Sequence, residues 1–181
     1  IAWWSMKPQD EVQQADGASS GPLKVGFVYL TNPGDHGWTY AHEVGRQDLQ
    51  AHFGDKIETN FVENVAEGPD AARVIRELVE QGNEVIFTTS FSYMDPTLKV
   101  SKEFPNVKFH HITGYKRSEN MATGNIRFYE GRYVQGVVAG LMTKTNKIGY
   151  LGAFPIPEVI QGINAFASGL RSVNKEASIS V

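Results

Sequence analysis

The sequence predicts an α/β fold built on a doubly wound parallel sheet, and three observations carry that expectation. Short β-rich runs alternate with segments whose apolar residues keep helical spacing. The strand candidates recur every 25 to 40 residues or so, about the room one crossover helix needs. Turn and capping residues fall where the period changes.

The elements follow in order. Lys24 to Leu30 (KVGFVYL) is a strand ended by the turn cluster Asn32-Pro33-Gly34. Thr39 to Phe53 carries Tyr40, Val44, Leu49 and Phe53 at near-helical spacing. Ile57 to Val62 is the second strand. Gly68-Pro69-Asp70 opens a helix, since proline suits the first turn and an acid suits the positive end of the dipole. Ala72, Ile75, Leu78 and Val79 share its apolar face, and Gly82 ends it. Glu84 to Thr89 is a buried-type strand, Thr97 to Phe104 a short helix stopped by Pro105, and Val107 to Thr113 a strand. Gly131 to Thr143 is a helix with Tyr133, Val134, Val137, Val138 and Leu141 on one face. Gly136, Ala139 and Gly140 in it permit close packing. Lys147 to Leu151 is a strand, Glu158 to Val173 a helix, and Ala177 to Val181 a last strand that the chain's end interrupts.

Composition narrows the function. The chain has 181 residues, 41% hydrophobic and 20% charged, which excludes collagen-like and wholly disordered classes. A net charge of -3 argues against a nucleic-acid binder. No apolar run reaches the roughly 18 residues of a membrane span. With no cysteine there is neither a disulfide framework nor a thiolate metal site. The chain opens on Ile1-Ala2-Trp3-Trp4, and residues 7–21 show no hydrophobic period. That stretch reads as a flexible tether, and the tryptophan pair fits the exit from a signal peptide or membrane anchor upstream of Ile1.

In doubly wound sheets ligands bind outside the carboxyl ends of the strands. The first such loop carries Asp35, Trp38 and Tyr40 at a helix N-terminus, with Thr39 between them. It has no G-x-G-x-x-G or G-x-x-x-x-G-K-[ST] spacing, so a phosphate cradle is not expected. An indole face and a carboxylate suit a neutral, planar, hydrogen-bonding ligand. The loop after the third strand brings Ser90, Phe91, Tyr93 and Met94 to the same rim. Aromatic faces from two loops can sandwich a base, each stack worth about 1–3 kcal/mol. Tyr115 and Phe154 occupy later strand-end loops and complete the candidate set. Ser90 is outside any G-x-S-x-G elbow. The five histidines form no H-E-x-x-H pair, and His110 and His111, adjacent in a strand, point to opposite faces. No metal, cofactor or catalytic group is expected.

From Lys24 onward the chain resembles the basic membrane protein family of substrate-binding proteins, which includes purine-nucleoside receptor lipoproteins. The matching pieces, in order, are KVGFVY from Lys24, GDHGWT from Gly34, IFTTSF from Ile86 and FPNVKF from Phe104. FYEGRYVQGVVAG from Phe128, TKTNKIGYLG from Thr143 and INAFASGL from Ile163 complete the series. The resemblance implies a type I periplasmic-binding-protein fold, two α/β lobes closing on a ligand, with the second lobe truncated. It divides the chain into a tether at 1–21, a first lobe at 22–125 and the start of a second, incomplete lobe at 126–181.

By the same resemblance Trp38 matches the aromatic that stacks on a base, Asp35 the first-loop acid and Phe91 the second-loop position. Many members have Phe-Asn where this chain has Trp38-Thr39, which points toward a free base such as adenine. The implied function is a non-enzymatic receptor, periplasmic or held at the cell envelope. It would capture a purine base or nucleoside and hand it to an ABC permease. Many members carry a lipid-modified cysteine, so anchoring here lies upstream or differs. The alternative is a ligand-sensing domain of a regulatory or signalling protein, and less favoured is an enzyme on the same fold.

Overall fold

The computed structural model describes residues 21–152 and 155–181. The tether, the Trp3-Trp4 pair, Phe154 and the side chain of Asp35 lie outside the described residues. The chain divides into two compact units, one running to Gly124 and one from Asn125 to Val181.

The first unit runs β1 (Leu23–Val28), α1 (Trp38–Phe53), β2 (Ile57–Val62), α2 (Pro69–Glu80), β3 (Val85–Thr88), α3 (Met94–Glu103), β4 (Lys108–Ile112) and β5 (Met121–Gly124). The five strands form one sheet in the order β2-β1-β3-β4-β5, every pair parallel. Its faces follow from strand alternation. Val28, Ile86, Phe109 and Met121 pack against Val74, Ile75 and Leu78 of α2 and Val100 of α3. Val25, Phe27 and Tyr29 form the opposite face with Leu49 of α1, Val85 and Phe87. There Phe27 and Phe87 stack at 4.9 Å between centroids, 10° from parallel. Because β1 has β2 on one side and β3 on the other, the chain winds outward both ways from it. The crevice of such a sheet opens between the ends of β1 and β3.

Three expectations need correction. α3 begins at Met94 rather than Thr97, placing Pro96 at its third residue. Proline is tolerated in a first turn, where its missing N–H has no intrahelical partner to lose. β5 was not expected from the sequence: four residues, two of them Ala122 and Gly124, carry little strand signal. It forms because Met121 is buried under α3's face of the sheet. The Asn120 amide also reaches the carbonyls of Ser101, Phe104 and Val107 at 2.8–2.9 Å, fastening the strand's start to the end of α3. The third correction concerns α4.

The second unit holds α4 (Phe128–Met142), β6 (Lys147–Gly149), α5 (Pro157–Val173) and β7 (Ser178–Ser180), with β6 and β7 parallel. α4 packs on α5 through glycines rather than through its apolar stripe. A Cβ at Gly136 would collide with the Phe166 carbonyl, and one at Gly169 with the Tyr133 carbonyl. The two backbones therefore meet directly. Val134, Val138 and Leu141 of the expected stripe are exposed within the described residues.

Candidate functional site

β1 runs on through Tyr29 and Leu30 to Thr31, where the chain must turn back into α1. Asn32 makes that turn, its side-chain oxygen accepting from the Gly34 N–H at 2.7 Å. His36 takes the left-handed conformation at φ 53°. Thr39, fully buried, ties the helix start to the strand end: its hydroxyl lies 2.7 Å from that of Thr31. Lower on α1, Glu43 accepts from Arg46 Nε at 2.8 Å, Gln47 at 2.9 Å and the Tyr29 hydroxyl at 3.1 Å. Arg46 reaches Thr59 of β2 at 2.6 Å and lies over the Phe61 ring. The Arg46 guanidinium holds the Glu43 carboxyl below its usual range, against the opposing effect of burial. Burial pushes the Tyr29 hydroxyl well above its ordinary value. These bonds fix the rotation of α1, and so the place of its first residue.

That residue is Trp38. Its indole Nε1–H donates to the Thr89 carbonyl at 2.5 Å, across the crevice between the ends of β1 and β3. Thr89 is itself held, its hydroxyl donating to the Val28 carbonyl at 2.8 Å. Indole has a single N–H. That donor is spent on Thr89, and the residue stays 37% exposed. His42, one turn on, stands edge-on to it at 4.8 Å, and burial lowers the proton affinity of His42. Tyr40 is 40% exposed and packs by His36 at 4.7 Å. Two helical residues rotate by roughly 200°, so Tyr40 leaves α1 on the side away from Trp38.

The loop after β3 is partly swallowed by the core. Tyr93 and Met94 are buried, and Tyr93 donates its hydroxyl to the Val65 carbonyl at 2.6 Å. Burial raises the Tyr93 hydroxyl's proton affinity, with Glu67 and Asp70 adding to it. Thr39 and Tyr93 are thus not rim residues as expected: both hydroxyls are engaged inside the fold. Ser90 is buried and donates to Glu67 at 2.9 Å. Phe91 stays half-buried, its ring 6.4 Å from that of Tyr115, which is 69% exposed at the end of β4. The rim therefore brings together Trp38, Phe91 and Tyr115. It separates Tyr40 from them and withdraws Thr39, Ser90 and Tyr93.

Three participants were missed from sequence. Thr89 acts through its backbone carbonyl, which leaves no residue-type signal. Glu67 belongs to the loop after β2, and only its reach to Ser90 marks it. His111 lies fully buried beneath the Tyr115 loop, and its signal was present as a histidine in a strand of apolar type. Among the described residues no group of three or more His, Asp or Glu could hold a metal ion, and no helix is long and apolar enough to cross a membrane.

Parallel sheets of this order bind ligands at the switch point, and sequence relationships narrow the class of protein. Residues 23–181 match the Bmp family, described as ABC transporter substrate-binding protein, PnrA-like. This chain belongs to that family. Over 159 residues it is 58% identical to a purine-binding protein of Brucella abortus, covering 88% of this chain and 45% of that one. Over 172 residues it is 42% identical to a Haloferax volcanii protein named for glucose binding in an ABC transporter, covering 94% and 44%. Among solved structures, an ABC transporter solute-binding protein of Conexibacter woesei superposes with a TM-score of 0.67 at 23% identity. That match covers 87% of this chain and 53% of that one. The fold is the type I periplasmic-binding-protein fold, and the family is one of solute-binding proteins rather than enzymes. The chain spans about half the length of the relatives it matches.

Proposed function

We propose that this chain carries the ligand-stacking lobe of a receptor that captures a purine base or nucleoside outside the cytoplasm and delivers it to an ABC permease. The observation that carries the reading is Trp38. Its N–H is anchored to Thr89, which holds the indole at the mouth of the crevice with 37% of the residue exposed. A face without a free donor suits a flat heteroaromatic ring, and the 58% identity to a purine-binding protein supports that choice. Phe91 and Tyr115 supply further aromatic surface, and Asp35 is the acid assigned to ring N–H groups. Thr39, engaged with Thr31, offers no side-chain hydrogen bond to a ribose, which favours the free base. Capture works by population shift: ligand binds the closed lobes better than the open ones, and the closed form engages the permease.

A sugar is the second reading, favoured by the relative named for glucose binding. A thermal-shift series on the intact receptor separates the two. Adenine, adenosine and glucose are each added at about 100 times a micromolar dissociation constant, where binding stabilises by about 2.7 kcal/mol. The expected outcome is a raised Tm with adenine or adenosine and none with glucose. The reverse pattern overturns the purine reading.

A further inference from the structure

The end of β4 and the loop that follows it hold two anomalies. Thr113 has φ 73°, a left-handed conformation that β-branched residues rarely adopt, and its hydroxyl oxygen is buried without a hydrogen-bond partner. His111 is fully buried, and its Nε2 is likewise without a partner. Backbone outliers and orphaned polar atoms gather where function constrains a fold.

The imidazole is held from one side. Thr97 donates to the Tyr93 carbonyl at 2.6 Å and lies 3.0 Å from the Thr88 hydroxyl, to which it also donates. The Thr88 hydroxyl in turn lies 2.9 Å from His111 Nδ1. That bond keeps the ring in one orientation.

Gly114 sits against the Cδ2–Nε2 edge of that ring. A Cβ there would fall 2.6 Å from Nε2, closer still to Cδ2, and 3.2 Å from the Met94 sulfur. The next residue's N–H points to the same sulfur at 3.4 Å. That residue is Tyr115, whose ring faces Phe91.

We propose that His111 is a positioning residue for ligand capture: its imidazole is the floor on which Gly114 seats, and this sets Tyr115 opposite Phe91 as an aromatic wall that decides which ring is accepted. The inference rests on the purine reading above and extends it to the buried layer.

A double-mutant cycle on the intact receptor tests it, read by calorimetry with adenine and by the 19F resonance of 3-fluorotyrosine at Tyr115. Gly114→Ala pushes the loop off the imidazole, so it raises the adenine Kd at least tenfold and shifts the 19F line. His111→Ala removes the floor and weakens binding less. In the His111→Ala/Gly114→Ala double variant the added methyl enters the vacated space. Its Kd then lies within about threefold of His111→Ala alone, and contacting residues couple in this way. A Gly114→Ala Kd within twofold of wild type, or additive effects, overturns the proposal. Should a buried variant not fold, Tyr115→Ala at an exposed position decides: a tenfold loss supports the wall, and unchanged affinity removes it. If wild type ignores adenine and answers to glucose, the purine reading fails separately. The 19F line then judges the floor alone, and an unmoved line in Gly114→Ala overturns it.

Discussion

Trp38 and Tyr93 are anchored in the same way and end in opposite places. Each is an aromatic just past the end of a central strand, and each gives its one polar hydrogen to a backbone carbonyl. Trp38 donates to Thr89 at 2.5 Å and Tyr93 to Val65 at 2.6 Å. Trp38 keeps 37% of its surface in solvent, whereas Tyr93 keeps none. The difference lies in what sits above the ring. Trp38 heads α1 at the mouth of the crevice. Tyr93 is covered by the first turn of α3 and by α2, whose Ala71 and Ile75 belong to the same cluster. One anchor leaves its ring partly exposed, and the other rivets the loop after β2 to the loop after β3.

Truncating the rivet should give the largest effect. Tyr93→Ala removes a fully buried ring, and such truncations cost about 3–5 kcal/mol. Tyr93→Phe keeps the ring but strands the Val65 carbonyl, at about 1–3 kcal/mol. Urea unfolding followed by far-UV circular dichroism measures both. A Tyr93→Ala loss below about 1 kcal/mol would place Tyr93 with Trp38 and erase the contrast.

The layer beneath the rim also predicts a pH dependence. Burial, and then the neighbouring His110, push His111 down to about 4. Its folded-state pKa is below the ordinary value of about 6.5, so the unfolded chain binds the proton first. Stability is therefore full above about pH 6.5, falls as pH drops toward 4, and loses nothing further to this group below that. At about 1.36 kcal/mol per unit the loss is on the order of 3 kcal/mol. Burial lowers His42 and His110 in the same direction, so the wild-type slope includes them. His111→Asn should flatten that slope by about one proton, measured by urea unfolding between pH 4 and pH 7. An unchanged slope would mean that His111 is not the buried titrating group.

Much of this was legible in the sequence, and the gaps have physical causes. β2 fell at Ile57–Val62 as expected, because an apolar run between turn signals leaves little freedom. The helix opened by Gly68-Pro69-Asp70 was equally readable from its cap and its stripe. β5 was invisible because its strand character comes from pairing with β4, as Phe109↔Met121 through Ile112↔Gly124. α4 was half legible: the close packing that Gly136 and Gly140 permit joins it to α5, whereas Val134, Val138 and Leu141 of the apolar stripe stay exposed within the described residues. At the site, residue type and strand-end position picked out Trp38 and Tyr93 alike. Nothing local separates them: the partner that buries Tyr93 lies 28 residues away in the chain. Thr39 turned inward for the same reason, toward a hydroxyl eight residues back.

The smallest free-energy change is the one that bears most on function. Trp38→Ala removes a partly exposed ring at a helix start, so its effect on stability should stay near 1 kcal/mol. Its effect on binding should be larger in proportion, because a base–aromatic stack is worth about 1–3 kcal/mol, or roughly tenfold and upward in Kd. Trp38→Phe separates the two parts of the residue. It keeps an aromatic face but loses the bond to Thr89, so affinity falls only to the extent that the anchor orients the ring. Tyr40→Ala is the control on the same helix. Tyr40 leaves α1 roughly 200° around from Trp38, so its adenine Kd should stay within twofold of wild type. Calorimetry on the three variants orders them. If Tyr40→Ala cost as much as Trp38→Ala, the ligand would contact α1 on both sides, and the anchored indole would not be its platform.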